Sequence, residues 1–283
     1  MKIGFIGLGL MGSRMASCLQ GEGISLSVYN RSKDPYEAFD DQVEKHTTAD
    51  QCVKDSDVVF TMLSTIEVIE EVALGQHGFL KSMKQGSIWI DCSTVSPSFS
   101  RLCGKQANQM GVKFVEAPVA GSTGAAAAGQ LVFLVGGEDS VVNIVTPLLN
   151  LMGKKVMTTG VVGSASAAKL LINYALASAM MNLAEIVTAG KSMGLSNDFL
   201  FDQLPQFPVI APFLQFKAPK LINGDFSPEF PLEWMVKDIN LLVQTIDSEY
   251  HLPMIEPLLA SFMAGMKNGQ SREDFSSVIK TLS

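Results

Sequence analysis

The chain begins MKIGFIGLGLMG (Met1–Gly12), and this stretch decides the fold of its first half. An apolar run, Ile3–Ile6, ends at the spacing G-x-G-x-x-G formed by Gly7, Gly9 and Gly12, and a helix-like pattern follows. In dinucleotide-binding folds the first glycine permits the turn, the second lets a pyrophosphate approach the backbone, and the third lets the helix pack on the strand. The same glycines also form simple turns in other α/β proteins, so the strand before them and the helix after them carry the prediction.

Composition narrows the class of protein. The chain has 283 residues, of which 47% are apolar, and a formal net charge of −7 without a basic block. It is long enough for two domains, and its acidic balance argues against nucleic acid as a partner. The four cysteines and three histidines lack metal-site spacing, so we expect no metal. No secretory leader is recognisable, and we expect a cytoplasmic location.

One long apolar run, Ser164–Leu183, has the length needed to cross a bilayer. It contains Lys169, Asn173 and several serines, and basic residues do not flank it. We therefore expect a helix buried on all sides in a soluble protein, with no membrane as a partner.

Strand and helix patterns alternate along the first half of the chain. This alternation predicts a parallel, doubly wound sheet of the Rossmann type with right-handed crossovers. The predicted strands after the first are Ser25–Tyr29, Asp57–Leu63, Ser87–Asp91, Lys113–Glu116, Gln130–Val135 and Lys155–Thr158, and the predicted helices between them include Ile66–Val72 and Ser98–Met110.

Strand patterns vanish beyond Gly163. We therefore predict an α/β protein with an N-terminal Rossmann domain over residues 1–162 and a C-terminal all-helical domain over residues 163–283. The predicted helices of the second domain are Ser164–Met193, Asn197–Gln203, Pro231–Glu249 and Pro253–Lys267.

The end of the second strand bears on the choice of dinucleotide. An acidic residue roughly 20 residues beyond the glycines selects NAD by binding the ribose hydroxyls. Here the strand ends Tyr29-Asn30-Arg31-Ser32, without a carboxylate. A guanidinium binds a 2′-phosphate bidentately, and Asn30 and Ser32 can each donate a further bond. We predict NADP over NAD; the alternative is NAD bound without acidic help, with Arg31 an ordinary exposed loop residue.

Lys169 is the only charged residue between Lys155 and Glu185. Asn173 follows four residues later, so the two polar side chains share a helix face. An ammonium group in apolar surroundings exchanges a proton more readily near neutral pH, which suits a general acid/base. A lysine that lays its stem on apolar surface and keeps its charge in water fits the same pattern.

Four segments of the chain form a set that is jointly specific. They are GLGLMGSRMASCL (Gly7–Leu19), DCSTVSP (Asp91–Pro97), EAPVAGS (Glu116–Ser122, followed by Gly129), and the stretch from Gly163 through Lys169 to Asn173. Together they resemble the β-hydroxyacid dehydrogenases, relatives of 6-phosphogluconate dehydrogenase. Met235–Asp238 with Leu241, and the stretch from Gly269 to Asp274, match later segments of that family, so the resemblance spans nearly the whole chain.

The resemblance implies an NAD(P)-dependent oxidoreductase that interconverts a small three- or four-carbon hydroxy acid and its semialdehyde or keto acid. It makes Lys169 the general acid/base at the reacting oxygen, Asn173 a substrate-orienting residue, and Lys237 a residue that closes the cofactor pocket from the helical domain. The predicted cofactor residues are Gly7, Gly9, Leu10, Met11, Gly12, Asn30, Arg31, Ser32, Met62, Leu63, Thr94 and Lys237. The predicted substrate residues are Ser93, Thr94, Ala120, Gly121, Ser122, Lys169, Asn173 and Trp234.

The chain departs from the family pattern at two positions. Ala120 stands where a serine commonly holds the substrate carboxylate, and Ile172 replaces the first asparagine of an N-N pair. One lost hydrogen bond to a charged group costs about 1.5–3 kcal/mol. We therefore expect a substrate that depends less on its carboxylate, or a weak generalist reductase. Ser122 either substitutes for the missing hydroxyl or only lines the turn.

Two other functions fit parts of the sequence. Imine reductases share the glycine-rich start but usually carry a different residue at the lysine position, so Lys169 argues against them while the less polar pocket argues for them. A non-catalytic dehydrogenase fold that serves as an interaction module typically lacks this lysine. Family relatives pair through the helical half, so we expect a homodimer or homotetramer, with the active site between the two domains.

Overall fold

The computed structural model describes residues 1–21 and 23–282. Internal contacts divide the chain into two compact units, Met1–Lys169 and Leu170–Ser283. This division falls seven residues after residue 162, the predicted end of the first domain (169 against 162). The reason is that the helix beginning at Ser164 has its first turn hydrogen-bonded within the first unit.

The first unit is built on one sheet, which has nine strands among the described residues. The strands are β1 (Lys2–Ile6), β2 (Ser25–Tyr29), β3 (Glu44–Lys45), β4 (Val58–Thr61), β5 (Ile88–Asp91), β6 (Lys113–Glu116), β7 (Val119–Ala120), β8 (Leu131–Gly137) and β9 (Gly153–Gly160). Their order in the sheet is β3-β2-β1-β4-β5-β6-β8-β7, with β9 paired to β8. The helices of this unit are α1 (Gly12–Ser17), α2 (Ala49–Val53), α3 (Ile66–Ile69), α4 (Pro97–Gln109), α5 (Thr123–Ala127) and α6 (Asp139–Met152), with short 3-10 or π segments at Asp34–Ala38, Glu70–Leu74 and Phe79–Ser82.

The sheet is parallel from β3 to β6, as the alternating pattern predicts, but β8 runs antiparallel to both β6 and β7. The predicted parallel, doubly wound sheet is therefore confirmed over most of its strands, and the antiparallel β8 is an addition that the pattern did not indicate. A parallel crossover usually needs a dozen or more residues built around a helix. Residues 117–130 hold only β7 and the five-residue α5, so the chain turns back beside β6 instead.

Aromatic side chains fill the core on both faces of the sheet. Phe5 and Phe60, on β1 and β4, stack with ring centroids 5.8 Å apart. Trp89 on β5 meets Phe79 and Phe114 edge to face, at 5.4 and 5.0 Å. Because both faces are buried, these strands read as continuous apolar runs rather than alternating ones. The packed sheet gives a rigid support for the loops that follow its strands.

Helices make up the second unit, and its long helix corrects one prediction. This helix, α7 (Ser164–Ser192), is the one described helix whose length and composition would allow it to cross a membrane. Within its most apolar stretch of 18 residues, 44% is buried inside the protein. The expectation that it is buried on all sides is wrong, because Leu171 is 56% and Ile172 41% exposed. Its 29 residues span about 44 Å, which exceeds the ~30 Å diameter of a small domain. The helices are α7 (Ser164–Ser192), α8 (Leu214–Ile222), α9 (Leu232–Thr245) and α10 (Ile255–Lys267), with π or 3-10 segments at Phe199–Gln203, Leu204–Gln206 and Phe275–Leu282.

Candidate active site

The glycine-rich turn between β1 and α1 is the best-defined part of the site. Gly7 has a φ of +96°, and a side chain there would collide with the carbonyl oxygen of Met62. A side chain at Gly12 would collide with the carbonyl oxygen of Gly7, so helix and strand approach as closely as backbone allows. A Cβ at Gly9 would meet nothing within 4 Å. Two of the glycines therefore serve packing, while the third leaves open space at the turn.

Four parallel strands bring the predicted cofactor residues of the first unit, which are all of them except Lys237, to one edge of the sheet. The carboxyl ends of β1, β2, β4 and β5 lie side by side, at the edge where open α/β sheets bind their ligands. Two side chains connect the loops there. Asn30 Oδ1 accepts a hydrogen bond from the N–H of Leu8 at 2.9 Å, and Ser93 Oγ accepts one from the N–H of Leu63 at 2.9 Å. The predicted residues gathered at this edge are Gly7, Gly9, Leu10, Met11, Gly12, Asn30, Arg31, Ser32, Met62, Leu63, Ser93 and Thr94.

The loop after β2 carries the residues predicted to select NADP. Asn30 Nδ2 donates to the carbonyl oxygen of Ser32 at 2.9 Å and to its hydroxyl at 3.1 Å, so this amide is bound within the loop. Arg31 and Ser32 are exposed, and Arg31 forms no ion pair with any residue that the structure describes. The turn with its open glycine fits a dinucleotide, and the loop after β2 leaves the Arg31 guanidinium exposed.

A buried polar chain lies beneath this edge. Trp89 Nε1 donates to Thr61 Oγ1 at 2.9 Å, and the Thr61 hydroxyl donates to Asp91 Oδ1 at 2.8 Å. Burial raises the pKa of Asp91, hydrogen bonds from Ser93 and Thr61 offset part of that effect, and the charge of Glu116 raises the pKa further. Ser93, predicted to line the substrate, is itself buried, and its hydroxyl helps to hold Asp91 and the loop after β4.

The stretch after β6 forms a tight turn. Ala120, half-buried, ends β7, and Gly121 has a φ of +144° with Leu131 Cδ2 2.8 Å from where its Cβ would lie. Ser122 Oγ accepts a hydrogen bond from the N–H of Ala125 at 3.3 Å and thereby caps α5. The Ser122 hydroxyl therefore holds the start of the helix that follows the turn.

Helix α7 carries Lys169 and Asn173 one turn apart. Lys169 is half-buried, whereas Asn173 is 2% exposed and donates from Nδ2 to Asp238 Oδ2 at 2.5 Å. Lys237 Nζ lies 2.7 Å from Asp238 Oδ1, and Trp234, half-buried, lies one turn earlier on α9. Asp238 thus joins two predicted site residues, and sequence reasoning assigned it no role. Its only signal there was its place beside Lys237 in a matching segment.

Two family profiles and several relatives match this chain. The profile of the NAD binding domain of 6-phosphogluconate dehydrogenase matches residues 2–162, and that described as NAD-binding of NADP-dependent 3-hydroxyisobutyrate dehydrogenase matches residues 163–282. The chain is 32% identical to glyoxylate/succinic semialdehyde reductase 2 (chloroplastic) of Arabidopsis thaliana, over 100% of this chain and 79% of that protein. It is 34% identical to mitochondrial 3-hydroxyisobutyrate dehydrogenase of Homo sapiens, over 99% of this chain and 86% of that protein.

A solved structure agrees with these matches. The 3-hydroxyisobutyrate dehydrogenase of Mycobacterium tuberculosis with L-serine has a TM-score of 0.87 to this chain at 29% identity, covering 99% of this chain and 98% of that one. The Rossmann unit, the glycine-rich turn and the matched relatives define an NAD(P)-dependent oxidoreductase. More specifically, the chain belongs to the β-hydroxyacid dehydrogenase family, because family profiles cover nearly all of it and two relatives exceed 30% identity over almost its full length.

Proposed function

We propose that this chain is an NADP-dependent oxidoreductase that interconverts a small three- or four-carbon hydroxy acid and its semialdehyde or keto acid, with Lys169 as general acid/base. The observation that carries this proposal is a single half-buried lysine on α7, one helical turn before the buried amide of Asn173. Lys169 is the only charged residue in the first 21 residues of that helix, residues 164–184.

Bound nicotinamide supplies or accepts the hydride in such a reaction. Reduction of a carbonyl builds negative charge on its oxygen, and the ammonium of Lys169 stabilises that charge and donates a proton to the oxygen. In the opposite direction the neutral amine accepts the hydroxyl proton. Asn173, whose amide is fixed by Asp238, orients the substrate, and Lys237, bound to the same carboxylate, contributes to the cofactor pocket.

The preference for NADP rests on the loop after β2. Arg31 is exposed and neither Asn30 nor Ser32 is a carboxylate, so the end of β2 offers a cation for a 2′-phosphate and lacks the acidic residue that binds the ribose hydroxyls of NAD. The substrate class rests on the relatives, which are named for glyoxylate, succinic semialdehyde and 3-hydroxyisobutyrate. Ala120 in place of a serine supports a pocket that holds the carboxylate less tightly.

A substrate panel tests the proposal. We expect the purified protein to oxidise NADPH with succinic semialdehyde or tartronate semialdehyde, with glyoxylate as a two-carbon comparison, and to use NADH less well. A cyclic imine belongs in the same panel because the imine reductases are the nearest alternative. Turnover with the imine alone would favour an imine reductase and overturn our proposal. No turnover with any compound would favour the non-catalytic interaction module.

We also propose that the protein is a cytoplasmic homodimer or homotetramer. Leu171 and Ile172, on one long helix, are both more than 40% exposed, and a second copy would remove such apolar surface from water. Light scattering coupled to size-exclusion chromatography gives the oligomeric mass directly. A monomer at micromolar concentration would contradict the proposal.

A further inference from the structure

One buried carboxylate binds the start of α7. Glu116, the last residue of β6, is 1% exposed. Its Oε1 accepts hydrogen bonds from the N–H groups of Gly163 at 2.6 Å and Ala165 at 2.8 Å. Its Oε2 accepts from the hydroxyls of Ser100 and Ser166, each at 2.5 Å, and from the N–H of Ser166 at 3.4 Å. Five donors thus converge on one side chain, and three belong to the backbone where α7 begins.

These bonds complete the hydrogen bonding of the first helical turn. The first N–H groups of a helix have no partner inside it. Here the N–H of Ser164 donates to Val161 O at 3.1 Å, and the first i to i−4 bond runs from Ala167 to Gly163 O at 3.1 Å. Glu116 accepts the bonds of the remaining groups and places a negative charge at the positive end of the helix dipole. The fit is close, because a side chain at Gly136 would collide with the Glu116 carboxylate.

The geometry of α7 makes this cap matter for Lys169. Lys169 lies four residues after Ala165, one turn further along the same face of the helix. Side chains reach about 5–6 Å from the axis of a helix, so a rotation of the first turns by about 10° moves the end of the Lys169 side chain by about 1 Å. A misplacement of about 1 Å at a reacting group can cost about 100-fold in rate.

We propose that Glu116 is a positioning residue for Lys169: its reach from β6 fixes the rotation of the first turns of α7 and so directs the ammonium group to the reacting oxygen. The inference rests on the proposed function, in which Lys169 is the general acid/base. Glu116 also begins the stretch that leads to Ala120, Gly121 and Ser122, so one residue ties the predicted substrate turn to the helix that carries the proton donor.

A pair of variants distinguishes the effect of the length of the Glu116 side chain from the effect of its charge. Glu116→Asp keeps the charge but shortens the side chain by one methylene, and we expect kcat to fall about 10- to 100-fold while KM for NADPH stays within twofold. Glu116→Gln keeps the length. Its amide oxygen can still accept the N–H bonds of Gly163 and Ala165, and its NH2 group can donate to the serine hydroxyls, so only the long 3.4 Å bond from the N–H of Ser166 is lost. We expect its kcat to stay within about fivefold of wild type. Equal kcat values for wild type and Glu116→Asp would overturn the proposal.

A double-mutant cycle tests whether Glu116 acts through Lys169. The Glu116→Asp change is repeated in a Lys169→Ala background, where the residual rate is raised by added methylamine. A free amine does not depend on helix rotation, so we expect Glu116→Asp to have no further effect there. An equal loss in both backgrounds would mean a general structural role and would reject the inference. Wild-type turnover of Lys169→Ala alone would instead reject the proposed function.

Two further variants complete the test, one as a control and the other as a substitute for Glu116→Asp. Asp57 is a carboxylate of the same unit that accepts the N–H of Lys2 at 2.8 Å and pairs with Lys84 at 2.9 Å, at the opposite edge of the sheet. Asp57→Asn should lower the unfolding midpoint and leave kcat unchanged. If Glu116→Asp does not fold, Ser166→Ala removes one bond on the helix side, and a severalfold fall in kcat is expected. Wild-type kcat in Ser166→Ala would then count against the inference.

Discussion

Two buried carboxylates, one in each unit, both accept backbone hydrogen bonds but stabilise different parts of the molecule. Glu116 and Asp274 are each 1% exposed, and each accepts backbone N–H groups from a segment far away in sequence. Asp274 accepts from Glu229 and Phe230, both at 3.1 Å, and from the ammonium of Lys217 at 2.9 Å. Both residues fix a chain segment to a neighbouring element.

The difference lies in what each carboxylate holds. The donors on Glu116 described above are neutral and begin the helix that carries Lys169. Asp274 belongs to an ion cluster, in which Lys217 is 7% exposed and also binds Glu229 at 2.8 Å, and this cluster fixes a loop and the last helical segment. None of the predicted site residues lies in that cluster. Measurements of turnover and of unfolding on the same variants should therefore distinguish the region around Glu116 from the ion cluster of Asp274.

The largest expected effect is on turnover alone. Lys169→Ala should lower kcat by about 10²- to 10⁴-fold, because removal of a general acid/base costs about that much. NADPH binding and the unfolding midpoint should stay near wild type. Stopped-flow hydride transfer, NADPH fluorescence and thermal melts give the three values. If Lys169→Ala lost its fold together with its turnover, Lys169 would have a structural role like that of the Asp274 ion cluster, and the contrast between the two regions would not hold.

The converse variant should affect unfolding. Asp274→Ala leaves the buried ammonium of Lys217 with one carboxylate fewer, and breaking a buried pair costs about 3–5 kcal/mol. We expect a denaturant midpoint well below wild type and an unchanged kcat in protein that remains folded. Asp247→Ala, which removes an exposed carboxylate of the same unit, should leave the midpoint unchanged. Comparable shifts for both variants would mean that the cluster is not special.

A third variant sharpens the contrast at the open edge of the sheet. Arg31→Asp removes the cation for a 2′-phosphate and adds an acceptor for ribose hydroxyls. One hydrogen bond to a charged group is worth about 1.5–3 kcal/mol, so kcat/KM for NADPH should fall roughly 10- to 100-fold while that for NADH rises. Lys33→Asp reverses a neighbouring exposed charge and should change the ratio little. An unmoved NADPH/NADH ratio in Arg31→Asp would refute the cofactor argument.

The smallest expected effect is on the pH dependence of the free energy of unfolding. Partial burial raises the pKa of Glu229, but hydrogen bonds and charges from Lys217 and Lys220 outweigh this and lower it below 4.5. A carboxyl with a lowered pKa stabilises the fold above its unfolded pKa, and that contribution disappears as the pH falls through the folded pKa. Because Glu229 is partly exposed, we expect less than about 1 kcal/mol. Urea unfolding at pH 7 and below 4.5 should show a weaker acid dependence in Glu229→Gln than in wild type.

Local patterns predicted the regular part of the first unit well. Ser25–Tyr29 and Lys113–Glu116 form strands with the predicted ends. Each contains β-branched or aromatic residues that favour strands, namely Val28 and Tyr29 in the first and Phe114 and Val115 in the second. The two-residue strands β3 and β7 were missed because such short pairings leave no periodic pattern. Helix α8 was missed as well, and Pro219 lies within it.

The parts of the site that depend on distant partners were harder to predict. Glu116 was recognised only as one letter of a matching segment, since its five donors come from residues 16 to 50 positions away. Asp238 was overlooked for the same reason, as its partner Asn173 is 65 positions away. Motifs identify which residues a family uses, whereas the three-dimensional fold shows which residues hold them in place.

The buried indole of Trp89 offers an intrinsic optical probe of the first unit. The chain has two tryptophans, and the other, Trp234, lies in the second unit. Trp89 is fully buried between two phenylalanine rings and donates its N–H to Thr61, so its emission should be blue-shifted and sensitive to the integrity of the sheet edge. A Trp234→Phe variant would leave a single tryptophan, and its emission, excited selectively over that of the four tyrosines, then reports melting of the Rossmann unit separately from that of the helical one.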